Sequence, residues 1–171
     1  MENTYRKEPW LDPRLKLGRS PIHGRGTFAT ALIDAGEVVN VWGGTFATAQ
    51  EAERAKALGK LVMQVDDDLY TVEERGEHET YFMNHSRDPN VWMGTAMAAV
   101  ARRRIAPGEE LTLDYALFEP DEDFTMPWEC LCGSPLCRKR ITRRDWRLPD
   151  LQRRYAGHFT PVIGHRIARL E

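Results

Sequence analysis

Three cysteines stand close together in the sequence, and thiols at this density could bind a metal ion. Cys130, Cys132 and Cys137 have the spacing C-x-C-x4-C and are the only cysteines of the chain. A structural zinc site needs four ligands, most often from cysteine or histidine. None of the five histidines has a spacing that favours it as the fourth ligand. From the residues alone, a metal site and three metal-free thiols remain alternatives.

Two further segments place polar or aromatic groups beside apolar runs. In the segment Tyr-Phe-Met-Asn-His-Ser-Arg-Asp-Pro-Asn at 81–90, three large apolar or aromatic residues precede a polar cluster. It predicts either a turn rich in Asn and Asp or a buried polar site in which Asn84 and His85 hold a polar ligand. Tyr115 ends the alternating segment 109–115. Taken alone, a tyrosine at such a place is more often a packing residue than a catalyst.

A glycine-rich segment, Ile-His-Gly-Arg-Gly-Thr-Phe-Ala at 22–29, formally matches a dinucleotide-binding fingerprint. That fingerprint requires a following helix and an acidic residue about 20 positions later. Gly36 comes too soon for a full helix, and residues 38–50 contain no acid. The segment therefore predicts a tight turn, or a loop whose backbone approaches a ligand closely, which glycine permits.

The elements that must position these groups are mostly short strands. Apolar alternation and turn residues predict strands at 14–17, 37–42, 61–65, 69–72, 97–105 and 110–115. Thr48 with Glu51 predicts a capping box and a helix that ends at Gly59, and a second helix is expected from Leu151. The sequences 33–37 and 105–109 share the pattern Ile-x-x-Gly-Glu and predict two similar strand entries. This pattern of elements is typical of a mainly β domain.

Composition and charge limit the class of protein. The 171 residues are 42% apolar and 29% charged, which predicts one soluble globular domain. The net charge of −2 argues against direct nucleic-acid binding. No apolar run approaches the length of a membrane span, and the first residues lack the apolar core of a signal peptide. With no paired disulfide framework, we expect an intracellular, soluble protein, cytoplasmic or nuclear and not secreted.

The charges are unevenly spread along the chain. Segments 66–79 and 119–129 hold seven and five acids, whereas segment 138–147 holds six bases and one acid. Such runs are most often solvated loops. The alternative is that the two acidic segments attract a basic partner by long-range electrostatics.

The order and spacing of the four motifs resemble those of the SET-domain protein lysine methyltransferases, over about residues 14–142. The resemblance implies a β-clip fold of small curved sheets with a knot-like crossing and few short helices. It divides the chain into an N-terminal segment at 1–13, a SET domain at 14–117, a post-SET-like cysteine segment at 118–144 and a C-terminal extension at 145–171.

The resemblance also implies a reaction and a site. The reaction is methyl transfer from S-adenosylmethionine to the side-chain amine of a lysine in a basic protein or peptide. Tyr115 matches the catalytic tyrosine, and the substrate channel is expected to involve Leu113, Tyr115 and Phe118. The cofactor-binding positions are His23, Gly24, Arg25, Gly26, Tyr81, Asn84, His85 and Leu131. The alternatives are a catalytically silent SET domain that binds a peptide or partner, and a small zinc-binding interaction module.

Two positions depart from the family pattern. The family usually has a cysteine after Asn-His-Ser that completes a zinc site with the three later cysteines, and this chain has Arg87 there. A guanidinium cannot ligate zinc, so the fourth ligand is missing and we expect little or no zinc. Leu113 stands where the family commonly has Phe or Tyr, which leaves the number of transferred methyl groups open.

Overall fold

The structure, a computed structural model, describes residues 8–74, 76, 78–118, 120, 125–142 and 144–170. Within these ranges the chain forms eleven short strands and three α-helices. The strands are β1 Trp10–Leu11, β2 Leu15–Arg19, β3 Arg25–Ala29, β4 Val38–Val41, β5 Thr45–Ala47, β6 Leu61–Asp66, β7 Leu69–Glu73, β8 Asn84–His85, β9 Val91–Met93, β10 Ala98–Ala101 and β11 Glu110–Leu113. The helices are α1 Ala49–Ala57, α2 Pro149–Arg154 and α3 Pro161–Ala168, with 3-10 turns at Glu79–Tyr81, Tyr115–Leu117 and Asp145–Arg147. The predicted mainly β fold with few short helices is confirmed.

The strands form three small sheets. Their strand orders are β1-β4-β10-β9, β2-β3-β11-β8 and β5-β7-β6. All neighbours are antiparallel except β8 and β11, which run parallel with Asn84 opposite Thr112 and His85 opposite Leu113. Since β11 also pairs with β3, this one strand lies between the glycine-rich segment and the Asn-His pair. The second sheet therefore brings together three motifs that are far apart in the sequence.

The two Ile-x-x-Gly-Glu segments form matching turns that face one another. Ile33 and Ile105 exchange backbone hydrogen bonds of 3.1 and 2.9 Å. In each turn the glycine has a positive φ, 87° at Gly36 and 85° at Gly108, a conformation that glycine adopts without strain. In each, the glutamate side chain accepts a hydrogen bond from the backbone N–H three residues earlier. The predicted pair of similar strand entries is confirmed.

Helix α1 begins and ends where the sequence predicts. Thr48 accepts a hydrogen bond from the N–H of Glu51, and the Glu51 carboxylate accepts one from the N–H of Thr48. The chain leaves the helix through Gly59, whose φ is +75°. Ala52 and Ala55 form its buried face, which packs on the sheet β5-β7-β6. Helix and sheet together form one unit between β4 and β8.

The C-terminal segment shares the main hydrophobic core. Leu151, Tyr155, Val162 and Ile163 have no measurable exposure and belong to the same buried cluster as the strands. The cysteine segment has a smaller cluster of its own, formed by Met126, Cys130 and Ile141 with partly buried neighbours. Residues 145–168 are therefore part of the folded unit.

Some predicted bounds differ from the structure. The strand expected at 97–105 ends at Ala101, because the three arginines at 102–104 leave the sheet before the bridge at Ile105. Of the acidic segment 119–129, residues 119 and 121–124 lie outside the described residues. No helix in the described part of the chain is long and apolar enough to cross a membrane.

Candidate active site

Asn84 ties the glycine-rich loop to the central strand of the second sheet. Its amide nitrogen donates to the carbonyl oxygens of His23 at 3.1 Å and Arg25 at 2.9 Å, and lies 2.8 Å from Oε1 of Glu110. A Cβ on Gly26 would come within 2.2 Å of that carboxylate oxygen, so a side chain there would require the Glu110 carboxylate to move away from Asn84. The donors of Asn84 are thus directed at the protein itself, and the side chain fixes the shape of residues 23–26.

His85 is a buried neutral imidazole with one free donor. Its Nδ1 accepts the backbone N–H of Tyr115 at 3.2 Å, so the proton of the neutral ring sits on Nε2. Burial lowers the pKa of His85 to about 4, although the carboxylate of Asp114 opposes this shift. Nε2 is buried and has no hydrogen-bond partner among the described residues. A buried N–H without an acceptor is costly, and the His85 side chain is among those that line a small cavity.

Half of the predicted cofactor residues line that small cavity. His23, Asn84, His85 and Leu131 line it, together with Tyr115 and four neighbours. Its volume is about 10 Å³, which is about the room one water needs. The cavity is narrow because the indole of Trp128 stacks on the His23 ring, with centroids 4.0 Å apart and planes 3° apart.

The other predicted cofactor residues lie around or away from this cavity. Gly24, Arg25 and Gly26 continue the loop that Asn84 holds. Tyr81 does not line the small cavity and instead borders a larger one on the far side of Tyr115. Polar backbone, the free Nε2–H of His85 and a stacked indole suit a polar ligand with an aromatic ring such as S-adenosylmethionine. A ligand of that size requires Trp128 to move off His23.

Tyr115 lies between the two cavities and lines both. Its hydroxyl donates to the carbonyl oxygen of Met83 at 3.1 Å, and its ring packs edge-on against His85 and Phe118. Burial raises the pKa of Tyr115 to about 12. The phenol is therefore neutral at physiological pH, and its oxygen lone pairs remain available to accept a hydrogen bond.

The larger cavity has a volume of about 490 Å³, within the range of ligand-binding pockets. Leu113, Tyr115 and Phe118, the three residues predicted for a substrate channel, all line it. Sequence reasoning missed Trp42 and Met83, which also line it; the ring of Trp42 lies 6.1 Å from that of Phe118. The Gly43-Gly44 pair that follows Trp42 marks a turn but gives no signal of a cavity wall.

The three thiols converge, and their environment is incomplete as a zinc site. The sulfur atoms of Cys130, Cys132 and Cys137 all lie within 4.8 Å of one another, a separation that one ion can bridge. Among the described residues, no histidine or carboxylate joins them. Burial opposes ionisation of Cys132, but the backbone N–H groups of Arg87 and Ser134 outweigh it and lower the pKa of that thiol. The residues fit three of the four ligands that a structural zinc ion requires.

The Arg87 side chain takes part in a buried ion-pair cluster instead. Its guanidinium pairs with Asp150 and lies 3.8 Å from Asp114. Arg138 bonds the same Asp114 at 3.0 Å and Asp145 at 2.6 Å. The Tyr155 hydroxyl contacts the carbonyl of Arg87 at 3.2 Å and Asp114 at 3.4 Å. We call these groups, Arg87, Asp114, Arg138, Asp145, Asp150 and Tyr155, the Arg87 cluster. It joins the Asn-His segment, the residue before Tyr115, the cysteine segment and the C-terminal segment.

The sequence is similar to known proteins along most of this region. It matches the SET domain family over residues 24–116. It is 34% identical over 156 residues to the histone-lysine N-methyltransferase trithorax of Drosophila melanogaster. The aligned region covers 82% of this chain and 4% of that protein. The match to histone-lysine N-methyltransferase 2B of Homo sapiens is 34% over 135 residues, or 71% of this chain and 5% of that protein.

A plant relative, histone-lysine N-methyltransferase ATX2 of Arabidopsis thaliana, is 31% identical over 153 residues, or 81% of this chain and 13% of that protein. The chain thus spans only a small part of the length of these relatives. Their names agree with the predicted reaction class. The family match covers more than half of the chain and confirms the predicted resemblance. The chain belongs to the SET domain family.

Proposed function

We propose that this chain transfers methyl groups from S-adenosylmethionine to the side-chain amine of a lysine in a protein. One observation carries the proposal: Tyr115 lies between a small cavity bordered by Asn84 and His85 and a larger one bordered by Leu113 and Phe118, and it lines both. Two reactants entering from opposite sides would meet at this residue. Such an arrangement suits an in-line displacement, which depends on positioning.

The small cavity is the proposed cofactor side. S-adenosylmethionine, when bound, supplies an electrophilic methyl group on a cationic sulfur. The loop at 23–26 would present its backbone to the cofactor, and Asn84 would keep that loop in shape through its bonds to His23 and Arg25. The free Nε2–H of His85 offers a donor for a ring nitrogen or another acceptor of the ligand. Leu131 and Trp128 would cover the aromatic part from the solvent side.

The larger cavity is the proposed lysine side, and its walls beside Tyr115 are apolar. A free lysine has a pKa of about 10.4, so only about one in a thousand is neutral at pH 7. Walls of Trp42, Leu113 and Phe118 disfavour the ammonium form, because burial penalises charge. Tyr115 is a poor general base, since its pKa of about 12 keeps the phenol protonated. Its O–H is donated to Met83, which leaves the oxygen to accept an N–H of the amine and to aim the nitrogen lone pair.

The proposed substrate is a basic, lysine-containing protein inside the cell. The relatives carry the name histone-lysine N-methyltransferase, which makes histones the first candidates. Glu73 of β7 lines the larger cavity, and the same hairpin carries Asp66 and Asp67 at its turn. Acidic groups at this place would attract a cationic segment.

The test is a transfer assay with labelled S-adenosylmethionine. Core histones and other lysine-rich proteins are incubated with the purified chain, and the modified residue is located by mass spectrometry. The expected product is methyl-lysine, formed by the wild type and lost in a Tyr115→Phe control that still binds the cofactor. A peptide-binding protein without transfer would show binding by calorimetry and no label, and that result would contradict the proposal.

A further inference from the structure

The segment beyond the family match is built into the region around Tyr115. The backbone N–H of Thr160 donates to the carbonyl of Leu117 at 2.9 Å. Helix α3 buries Val162 and Ile163 completely and packs on β6. At its far end Arg169 pairs with Asp67 of the β6–β7 turn at 2.6 Å. The helix is therefore held at both ends, and its side chains have fixed positions relative to the larger cavity.

One side chain of α3, Arg166, reaches the lining of that cavity. Its Nη1 donates to the carbonyl oxygen of Pro120 at 2.6 Å. No carboxylate of the described residues lies within ion-pair distance of its guanidinium. An arginine has five N–H donors in a planar fork, and a single carbonyl leaves most of them unused. Within the described part of the chain, Arg166 is thus a half-buried cation beside the channel whose guanidinium has one hydrogen-bond partner.

The same cavity is also lined by an acid without a cationic partner. Glu73, the last residue of β7, lines the cavity, and no described residue forms an ion pair with it. Burial raises the pKa of this carboxyl, although the nearby His78 opposes the shift, because burial penalises the charged form. Among the residues that the structure describes, Glu73 and Arg166 are therefore a carboxylate and a guanidinium of the channel wall without an ion-pair partner. A wall that only attracts a cationic substrate segment would need acidic side chains and would have no use for the cation of Arg166.

We propose that Arg166 is a specificity-determining residue, which binds the carboxylate of an Asp or Glu that flanks the target lysine in the substrate. The inference rests on the proposed function and extends it to the class of substrate. The planar guanidinium matches a carboxylate in a bidentate geometry. Its bond to Pro120 pre-orients the fork, so little side-chain freedom is lost on binding. The preferred substrate then combines a lysine with a nearby acid.

The test compares peptides that differ at one flanking position, which is Glu, Ala or Lys, on both sides of the lysine. For the wild type we expect kcat/KM at one such position to be about tenfold or more higher with Glu than with Lys. Arg166→Glu should invert that order, and Arg166→Gln, which keeps a donor for Pro120, should flatten it. Arg153→Glu, which makes the same change of charge at an exposed arginine of α2 outside the lining of this cavity, is the matched control and should keep the wild-type order. Thermal unfolding of each variant confirms that it is folded.

The outcomes separate the inference from the function. If the wild type and Arg166→Glu rank the peptides alike, Arg166 is only a structural anchor and the inference is overturned. If Arg166→Glu slows the reaction equally for all peptides and leaves their ranking unchanged, the inference is also overturned. If the wild type labels none of the peptides and no core histone, the proposed function itself fails, and the inference fails with it.

Discussion

The cavities on the two sides of Tyr115 differ in volume and in the side chains that line them. The lysine side is a cavity of about 490 Å³ whose walls near Tyr115 are the apolar side chains of Trp42, Leu113 and Phe118. The cofactor side has about 10 Å³ of free volume and depends on polar groups, a neutral buried histidine and the Arg87 cluster behind it. We infer from this difference that the proposed lysine side is pre-formed by packing. The cofactor side relies on charges and hydrogen bonds and must open at Trp128.

The largest stability effect is expected in the Arg87 cluster. Arg138 bonds two buried carboxylates, Asp114 and Asp145, so Arg138→Ala should cost about 3–5 kcal/mol by leaving buried charges unpaired. Arg87→Ala should cost clearly less, because Asp114 keeps Arg138 and the Asp150 side chain is 54% exposed. Chemical denaturation of both variants measures this order. Equal losses, or less than about 1 kcal/mol for Arg138→Ala, would show that the cluster is not what holds the cofactor side.

A pH effect of somewhat smaller size follows from His85. Its folded pKa of about 4 lies below the ordinary value of 6.5, so between these values the unfolded chain binds more protons. Stability from this group is present above pH 6.5 and is lost as the pH falls toward 4, by about 3 kcal/mol in total.

The measurement is the free energy of unfolding from pH 7 to pH 4 for the wild type and His85→Gln. The variant should lose about 3 kcal/mol less over this range. Carboxylates such as Asp12, whose pKa is lowered by Arg14, titrate in both proteins and cancel in the difference. Parallel curves would mean that His85 is protonated, or solvated, in the folded state.

Cofactor affinity should depend on Asn84 and not on the channel. Asn84→Ala removes the bonds to His23 and Arg25 and should weaken S-adenosylmethionine binding about tenfold or more, since a hydrogen-bonded loop is lost. Phe118→Leu on the lysine side should leave the affinity within about twofold. Calorimetry measures both. An unchanged affinity in Asn84→Ala would move the cofactor away from the loop at 23–26.

The smallest effect expected is in metal content. Three converging thiols without a fourth described ligand should give less than one equivalent of zinc after dialysis against a chelator, because an incomplete site binds weakly. Arg87→Cys should retain more zinc than Arg87→Ser, which loses the same guanidinium but adds no thiol. One tightly held equivalent in the wild type would show that a further ligand completes the site.

Sequence reasoning reached the features that depend on local spacing. The capping box of Thr48 and Glu51 joins residues three positions apart, and the paired turns at Gly36 and Gly108 each close within one segment. The predicted channel residues line one cavity because they lie at the end of β11 or within the five residues after it. For such features, propensity and turn chemistry suffice.

The features that were missed depend on contacts across the chain. Arg87 meets Asp150 over 63 positions, and Arg166 meets Pro120 over 46. No periodicity links such pairs, since only the packing of the C-terminal segment on the sheets brings them together. The assignment of Tyr81 to the cofactor site rested on a motif position and stays a prediction; its side chain lines the larger cavity.

We propose above that Tyr115 orients the lysine amine for methyl transfer between the two cavities that it lines. The most direct measurement is the single-turnover rate of methyl transfer to a lysine substrate by the wild type and by Tyr115→Phe, with cofactor affinity measured in parallel. We expect the rate of Tyr115→Phe to be lower than that of the wild type by about a hundredfold or more, by analogy with the loss of one preorganised polar group. Its affinity for S-adenosylmethionine should be nearly unchanged. A near-normal rate in Tyr115→Phe would contradict this proposal.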